Sequence, residues 1–136
     1  PYRFDRFSDQ FEHIVRGTLK SGDYSLEGFE TKVAFERKSL GDLVNTVIHG
    51  KDRFRRELVR LSSYDFAAIV IEATMKEVSS TYSFSQANPN SVMGMLQSFP
   101  LLYGVHIIFA GDRVGAEAWI AQSLLKVYKY SQRQEA

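Results

Sequence analysis

The sequence has no cysteine, little net charge and no long apolar run. The absence of cysteine excludes disulfide bonds and thiolate metal sites, and it agrees with a reducing environment. A net charge of +1 does not by itself indicate nucleic-acid binding, so such evidence has to come from the distribution of the charges. No run approaches the ~18 apolar residues of a membrane span, and no signal peptide precedes Pro1. We therefore expect a soluble intracellular protein, cytoplasmic or nucleoid-associated, or nuclear if the source is eukaryotic.

Internal repeats, low-complexity stretches and interdomain linkers are also absent from the sequence. Its 136 residues, 44% of them hydrophobic, suffice for a single domain that buries roughly two-thirds of the surface of the unfolded chain. Apolar runs alternate with helical stripes, which predicts an α/β fold with a central sheet flanked by helices. The predicted strands are residues 11–19, 31–37, 66–71 and 105–110, and the predicted helices are residues 40–48, 53–61, about 90–103 and about 114–130.

Single residues refine these boundaries. Ser39 is the expected N-cap of the first helix, and Asn90 or Ser91 that of the third. Pro100 lacks a backbone donor and is expected to kink or interrupt the third helix. Residues 81–88 are polar without clear periodicity, so we expect them to be the least ordered segment and a mobile loop beside a substrate. Residues 131–136 are expected to form a polar tail.

A Gly22-Asp23 pair precedes a strand that ends in Glu36-Arg37-Lys38. Because side chains alternate along a strand, Glu36 and Lys38 share one face and Arg37 lies on the other. Two carboxylates suit a hard divalent cation such as Mg²⁺ or Mn²⁺, which keeps several waters and binds substrate phosphate. A nearby ammonium can orient the attacking water or offset charge on the phosphorus. The pattern therefore predicts a metal-dependent nuclease site with Asp23 and Glu36 as ligands and Lys38 assisting.

The same residues also have a structural interpretation. A Gly-Asp pair is common in turns, and a strand can end in a solvated charge cluster, so either piece alone is more often structural. Asp42, in the first turn of the following helix, is favoured there by the helix dipole whatever else it does. The spacing of Asp23, Glu36 and Lys38 alone is a weak signal that needs context.

Basic residues are concentrated in the second predicted helix. Arg53, Arg56 and Arg60 share a face that is distinct from the apolar stripe, and Lys51 lies just ahead of them. Such a face could contact DNA phosphates. The alternative is a solvated amphipathic helix with Asp52 and Arg56 as an i,i+4 pair. Separately, Glu57 lies four residues after Arg53 and is expected to pair with it on the helix.

The sequence resembles the XPF/Hef-like structure-specific endonucleases, whose signature is Gly-Asp followed by Glu-Arg-Lys-x-x-x-Asp. Gly22-Asp23, Glu36-Arg37-Lys38 and Asp42 match it. Similar segments follow over nearly the whole chain, namely residues 43–48, Arg53-Phe54, residues 67–73, residues 88–92 and residues 105–109. The resemblance implies a restriction-endonuclease-like fold with a mixed sheet, a divalent metal, and cleavage of branched or flapped DNA in repair or recombination.

Residue by residue, the resemblance assigns Asp23 and Glu36 to metal coordination and Lys38 to catalysis. Arg37 and Asp42 are signature positions that support the site. Many members begin with a strand carrying Asp-x-Arg-Glu, and none precedes Pro1, so we expect either that the sequence is trimmed there or that the first strand is missing. We also expect no helix-hairpin-helix module, which would leave DNA affinity to this domain or to a partner, in a homodimer or a heterodimer. The alternative function is a non-catalytic DNA-binding or dimerisation partner that retains the fold.

Other conspicuous side chains have simpler explanations. The three histidines show no zinc spacing, and His106, inside an apolar strand, is expected to be a packed core residue. Trp119 begins a helical stripe that is most simply core, or a dimer surface if it is exposed. Glu72, at the end of an apolar strand, could join the site or lie in solvent.

Overall fold

The computed structural model describes residues 1–11 and 22–135. A short 3-10 turn at Asp5–Phe7 comes first. The remaining elements are three strands, β1 (Val33–Lys38), β2 (Phe66–Ile71) and β3 (His106–Phe109), and five helices, α1 (Leu40–His49), α2 (Lys51–Leu61), α3 (Met75–Val78), α4 (Pro89–Tyr103) and α5 (Arg113–Glu135). The strand predicted at residues 11–19 lies almost wholly outside the described residues.

The three strands form a sheet in the order β1-β2-β3, with β2 in the centre. Both pairings are parallel, with Glu36 opposite Ile69 and Ile69 opposite Ile107. The carboxyl ends of the strands therefore meet at one edge of the sheet. On the other side of β1, Tyr24 makes an antiparallel bridge to Phe35, which is the antiparallel component in the described part of the chain. The prediction of an α/β fold with a central sheet flanked by helices is confirmed.

Each face of the sheet carries its own core, because successive strand residues point to opposite sides. On one face, Ala34, Ile69 and Ile71 pack with the apolar residues of α1, α2 and α4. On the other face, Phe35 and Val70 pack with α5 and with the N-terminal segment. Since β2 is buried on both sides, its sequence is a continuous apolar run, as expected for a central parallel strand.

Most predicted helix boundaries agree with the structure within a few residues. The Ser39 hydroxyl accepts a hydrogen bond from the Asp42 amide and caps α1, as predicted. The N-cap of α4 is Asn88, and not Asn90 or Ser91, because Pro89 occupies the first helical position and the helix starts earlier in the chain than predicted. Helix α3 begins with a capping box between Thr74 and Glu77. It was not predicted because it is only four residues long.

The interruption expected at Pro100 does not occur. Helix α4 runs through Pro100 to Tyr103 and ends at Gly104, whose φ of 67° is a left-handed conformation suited to glycine. The helix continues for only three residues beyond the proline. The amide of Gly104 donates to the Pro100 carbonyl at 3.0 Å and so closes this last turn.

Three further expectations need correction or comment. His106 is exposed at the start of the outer strand β3 and stacks on the Phe66 ring, so it is not a core residue. The polar segment after Tyr130 continues α5 as far as Glu135. The segment 81–88 has no helix or strand, but its Tyr82 is buried and donates to the Val78 carbonyl, which fixes the segment to the core.

The apolar stripe on α5 is divided between core and surface. Ile120 and Leu124 are buried, whereas Trp119 and Tyr128 are about half exposed. Trp119 and Tyr128 are nine positions apart, which places them on opposite flanks of the helix. No helix in residues 1–11 and 22–135 is both long and apolar enough to cross a membrane.

Candidate active site

The end of strand β1 presents its side chains to both faces of the sheet. The amine of Lys38 contacts α1 and α2, whereas the guanidinium of Arg37 contacts Glu72 and Tyr2 on the opposite side. This is the alternation that the sequence predicts, with Glu36 on the face of Lys38. The next residue, Ser39, begins the turn into α1, so Glu36 and Lys38 lie where a strand gives way to a helix.

The Gly22-Asp23 turn lies against the outer edge of β1. The Asp23 amide donates to the Phe35 carbonyl at 2.8 Å, and Asp23 Oδ2 accepts from the Arg37 amide at 2.9 Å. Gly22 has a φ of 79°, and a Cβ atom added there would lie 2.9 Å from the Ala34 Cβ. A glycine is therefore needed both for the left-handed backbone and for the close approach to the strand. The turn places the Asp23 carboxylate beside the end of β1.

The five predicted catalytic positions line one cleft of about 440 Å³. Its walls are Pro1, Asp23, Tyr24, Glu36, Arg37, Lys38 and Asp42. The cleft opens at the carboxyl end of the parallel strands, which is the usual place for ligand sites in open α/β sheets. The structure thus brings together residues that are up to 19 positions apart in the sequence, from Asp23 to Asp42.

Two of the three acids that line the cleft, Asp23 and Glu36, have raised pKa values. Burial raises the pKa of Asp23, although the hydrogen bond from the Arg37 amide opposes the shift. Burial and the negative charge of Asp23 raise the pKa of Glu36 to about 8. Lys38 lowers the pKa of Glu36 but does not cancel these effects. Both carboxylates are partly buried and have raised pKa values. A bound cation would therefore stabilise their ionised forms.

The chemistry of these donors fits a hard divalent cation. Asp23 and Glu36 offer carboxylate oxygens from a turn and a strand that are joined by backbone hydrogen bonds. Within the described residues, no group of three or more acids, histidines or cysteines is arranged to hold a metal. Two protein carboxylates completed by water and substrate phosphate are a common arrangement for Mg²⁺.

The Lys38 amine is held against the first two helices. Its Nζ donates to the Thr46 hydroxyl on α1 at 3.2 Å and lies 4.8 Å from the centre of the Phe54 ring on α2. Both contacts restrict a long, flexible side chain. Lys38 therefore borders the cleft from the side of the helices.

Asp42 and Arg37 have supporting positions. Asp42 is exposed in the first turn of α1, where it faces the cleft and its amide donates to Ser39. Arg37 forms an ion pair with Glu72, which follows β2 and also accepts a hydrogen bond from the Tyr2 hydroxyl. Glu72 is only 8% exposed, so it is neither a solvent-exposed strand end nor a wall of the cleft.

Glu57 was not singled out from the sequence as a site residue. Its Oε1 accepts from the Gly22 amide at 2.9 Å, and its Oε2 pairs with Arg60. Within the described residues no ion pair joins Arg53 to Glu57, so the expected pairing is wrong. A sequence signal does exist, because Glu57 lies three residues after Phe54 and one before Leu58, at the border of the buried stripe.

The predicted basic face on α2 is exposed. Arg53, Arg56, Arg60 and Lys51 all face solvent, and Arg60 is partly neutralised by Glu57. The pair proposed as an alternative, Asp52 with Arg56, is not among the ion pairs of the described residues. None of these basic side chains lines the acidic cleft. Lys51 instead borders a second groove of about 280 Å³ between α2 and α4.

Two solved structures share this fold. XPF from Aeropyrum pernix aligns with a TM-score of 0.65 and 21% sequence identity, over 88% of this chain and 56% of that one. XPF from Aeropyrum pernix in complex with DNA aligns with a TM-score of 0.62 and 19% identity, over 83% of this chain and 52% of that one. This chain thus spans little more than half the length of these structures. This chain is therefore an α/β domain with the fold of the XPF nuclease domain.

The family follows from the sequence itself. The model of the ERCC4 domain matches residues 2–123, which is most of the chain. The protein belongs to the ERCC4 domain family, and the resemblance stated from Gly22-Asp23 and Glu36-Arg37-Lys38 is confirmed. A comparison with curated protein sequences found no match.

Proposed function

We propose that this chain is a divalent-metal-dependent DNA endonuclease domain that cleaves branched or flapped DNA. The observation that carries the proposal is the convergence of Asp23, Glu36 and Lys38 on one cleft. Two partly buried acids with raised pKa values, with an ammonium beside them, suit the binding of a metal and a phosphodiester. Membership of the ERCC4 domain family supports the same function, with a role in repair or recombination.

In this mechanism, Asp23 and Glu36 would hold Mg²⁺ or Mn²⁺ through their carboxylate oxygens. Such an ion would supply Lewis-acid chemistry, namely a lower pKa for a water and polarisation of the phosphoryl oxygen. Lys38 orients the attacking water or stabilises the negative charge that develops on the phosphate. The Arg37 amide keeps the Asp23 carboxylate aligned along β1, and Asp42 supports the cleft from α1.

DNA binding forms the second part of the proposal. Lys51, Arg53 and Arg56 lie on the exposed side of α2, and Arg60 extends this face. Helices α1 and α2 pack on the same face of the sheet as Lys38, so phosphates bound along α2 belong to a duplex that passes near the cleft. The DNA complex of XPF from Aeropyrum pernix supports DNA as the ligand.

The test is a cleavage assay with labelled flap, fork, Holliday-junction and linear duplex DNA. Each substrate is incubated with the protein in Mg²⁺, Mn²⁺ or EDTA. Lys38→Ala is compared with Lys129→Ala, which removes an exposed lysine from α5 on the opposite face of the sheet. Metal-dependent cutting that is lost in Lys38→Ala and kept in Lys129→Ala supports the proposal. Metal-independent cutting, or equal cutting by both variants, contradicts it.

The same assay separates the nuclease from a non-catalytic partner that only binds DNA. Binding is measured by fluorescence anisotropy with the same DNA in EDTA. Retained affinity without cleavage in either metal indicates a binding module that keeps the fold. Cleavage that prefers the flap or fork over the linear duplex identifies the substrate class.

A further inference from the structure

The carboxylate of Glu57 connects helix α2 to the Gly22-Asp23 turn across 35 positions of the sequence. We propose that Glu57 is a positioning residue that fixes Asp23 by accepting the hydrogen bond of the Gly22 amide. The inference rests on the proposed nuclease function, because it assigns to Glu57 the alignment of a metal ligand. It also predicts a local structural coupling that can be measured without any metal or DNA.

The hydrogen bonds of the turn show why this contact matters. The amides of Asp23 and Tyr24 both donate to the Phe35 carbonyl, at 2.8 and 3.0 Å, so they attach the turn to β1. The Gly22 amide points away from this strand and donates to Glu57 at 2.9 Å. The turn is therefore held between β1 and α2. Among the hydrogen bonds that Gly22 and Asp23 make with described residues, the one to Glu57 is the bond that reaches α2.

The orientation of the Glu57 carboxylate is itself fixed. One oxygen accepts from Gly22 and the other pairs with Arg60, one turn further along α2. The side chain is only 17% exposed, so both contacts are partly shielded from water. A carboxylate held at two points is a rigid support for the turn, whereas a freely rotating one would not be.

Glu57 does not act as a third metal ligand in this arrangement. Its two oxygens already have partners, and no cluster of three acids in residues 1–11 and 22–135 is arranged around a common metal position. Partners that orient a ligand typically change metal affinity by about 10- to 100-fold when they are removed. Glu57 also joins the basic face of α2 to the acidic turn, so a shift of α2 on DNA would reach Asp23 through this contact.

Two variants separate the hydrogen bond from the charge. Glu57→Gln keeps an oxygen that can accept from Gly22 but removes the negative charge and the ion pair with Arg60, and Glu57→Ala removes all of these. The matched control is Asp52→Ala, which removes an exposed acid from the same helix. The first readout is amide hydrogen exchange by NMR at Gly22 and at Arg37, whose amide donates to the Asp23 carboxylate. The second is Mn²⁺ affinity by calorimetry in the absence of DNA.

We expect Glu57→Ala to speed exchange at both amides and to weaken Mn²⁺ binding by about tenfold or more. In Glu57→Gln and Asp52→Ala, the exchange rates of both amides and the Mn²⁺ affinity should remain within about threefold of the parent values. Unchanged exchange at Gly22 and Arg37 in Glu57→Ala would overturn the inference. A second result would also overturn it. If Glu57→Gln keeps both amides protected but loses as much Mn²⁺ affinity as Glu57→Ala, the charge of Glu57 and not its hydrogen bond determines metal binding.

Failure of the proposed nuclease function can be distinguished from failure of the positioning role of Glu57. If the parent protein neither binds Mn²⁺ nor cleaves DNA, the proposed function fails. Faster exchange at Gly22 and Arg37 in Glu57→Ala still supports the positioning of Asp23 in that case, and unchanged exchange still overturns it.

Discussion

Arg37 and Glu72 form an ion pair, with 3.5 Å between Nε and Oε2, that joins the carboxyl ends of β1 and β2. The backbone supports the same junction, since the Glu72 amide donates to the Lys38 carbonyl at 2.8 Å. Glu72 also accepts from the Tyr2 hydroxyl, and the Arg37 guanidinium lies over the Tyr2 ring. The signature residue Arg37 therefore borders the acidic cleft, and through Glu72 and Tyr2 it supports the strand that carries Glu36 and Lys38.

The first prediction concerns the stability of this junction. Replacing Glu72 with alanine leaves the Arg37 guanidinium and the Tyr2 hydroxyl without a buried acceptor. We expect the free energy of unfolding to fall by about 2–4 kcal/mol. Urea denaturation measures the change, with Asp5→Ala as the control. Asp5 pairs with Arg3 in full solvent, so its removal should cost less than about 0.5 kcal/mol. Equal losses in the two variants would show that the junction does not stabilise the fold.

The second prediction concerns the effect of pH through Glu36. Its pKa is raised from the usual 4.5 to about 8 in the folded protein. Between these values the folded state holds more protons than the unfolded state, so stability falls as the pH rises through this range. Glu36→Gln removes the ionisable group. We expect the variant to be more stable than the parent by about 2 kcal/mol near pH 8, a figure reduced for partial exposure, with little gain at pH 4.

Metal binding should reverse the order of stability of the parent and Glu36→Gln near pH 8. In the proposed site, Mg²⁺ would bind the ionised form of Glu36, so added Mg²⁺ should raise the melting temperature of the parent near pH 8. Glu36→Gln should respond much less, because it lacks the carboxylate. Melting curves at pH 4 and pH 8, with and without Mg²⁺, test both statements. A parent protein whose stability rises from pH 5 to pH 8 without metal would contradict the raised pKa.

The third prediction concerns the placement of Lys38. Thr46→Val preserves the shape of the side chain but removes the hydroxyl that accepts from Lys38 Nζ. We expect the cleavage rate at saturating DNA to fall by about threefold to tenfold, because the amine loses an orienting contact. The affinity for DNA in EDTA and the melting temperature should change little. An unchanged cleavage rate would show that Lys38 leaves Thr46 before the chemical step.

The sequence was most informative where one residue type serves one local purpose. The apolar run of β2 is explained by burial on both faces, and Ser39 caps α1 because its hydroxyl reaches the Asp42 amide. The alternation of Glu36, Arg37 and Lys38 followed from strand geometry alone. Family resemblance added the link between Asp23 and this strand, which spacing alone could not establish.

Contacts between distant segments could not be read in the same way. Glu57 was expected to pair with Arg53, but its two oxygens instead bond Arg60 on the same helix and the Gly22 amide 35 positions away. His106 lies in an apolar run, yet β3 is the outer strand of the described sheet, so its first residue is exposed. Tertiary neighbours decided both cases, and a helical or strand pattern carries no information about them.

The last prediction concerns DNA binding by α2. Arg53→Ala and Arg56→Ala should each weaken binding to flap and linear duplex alike, because phosphate contacts carry no sequence information. Each lost contact should reduce the slope of log affinity against log salt by about 1. Anisotropy titrations at several salt concentrations in EDTA measure both quantities, with Lys129→Ala as the control for loss of one positive charge. Arg60→Ala is expected to have a smaller effect than Arg53→Ala, because Glu57 already neutralises part of its charge. If the salt slope is the same in Arg53→Ala, Arg56→Ala and the control, DNA does not contact this face of α2.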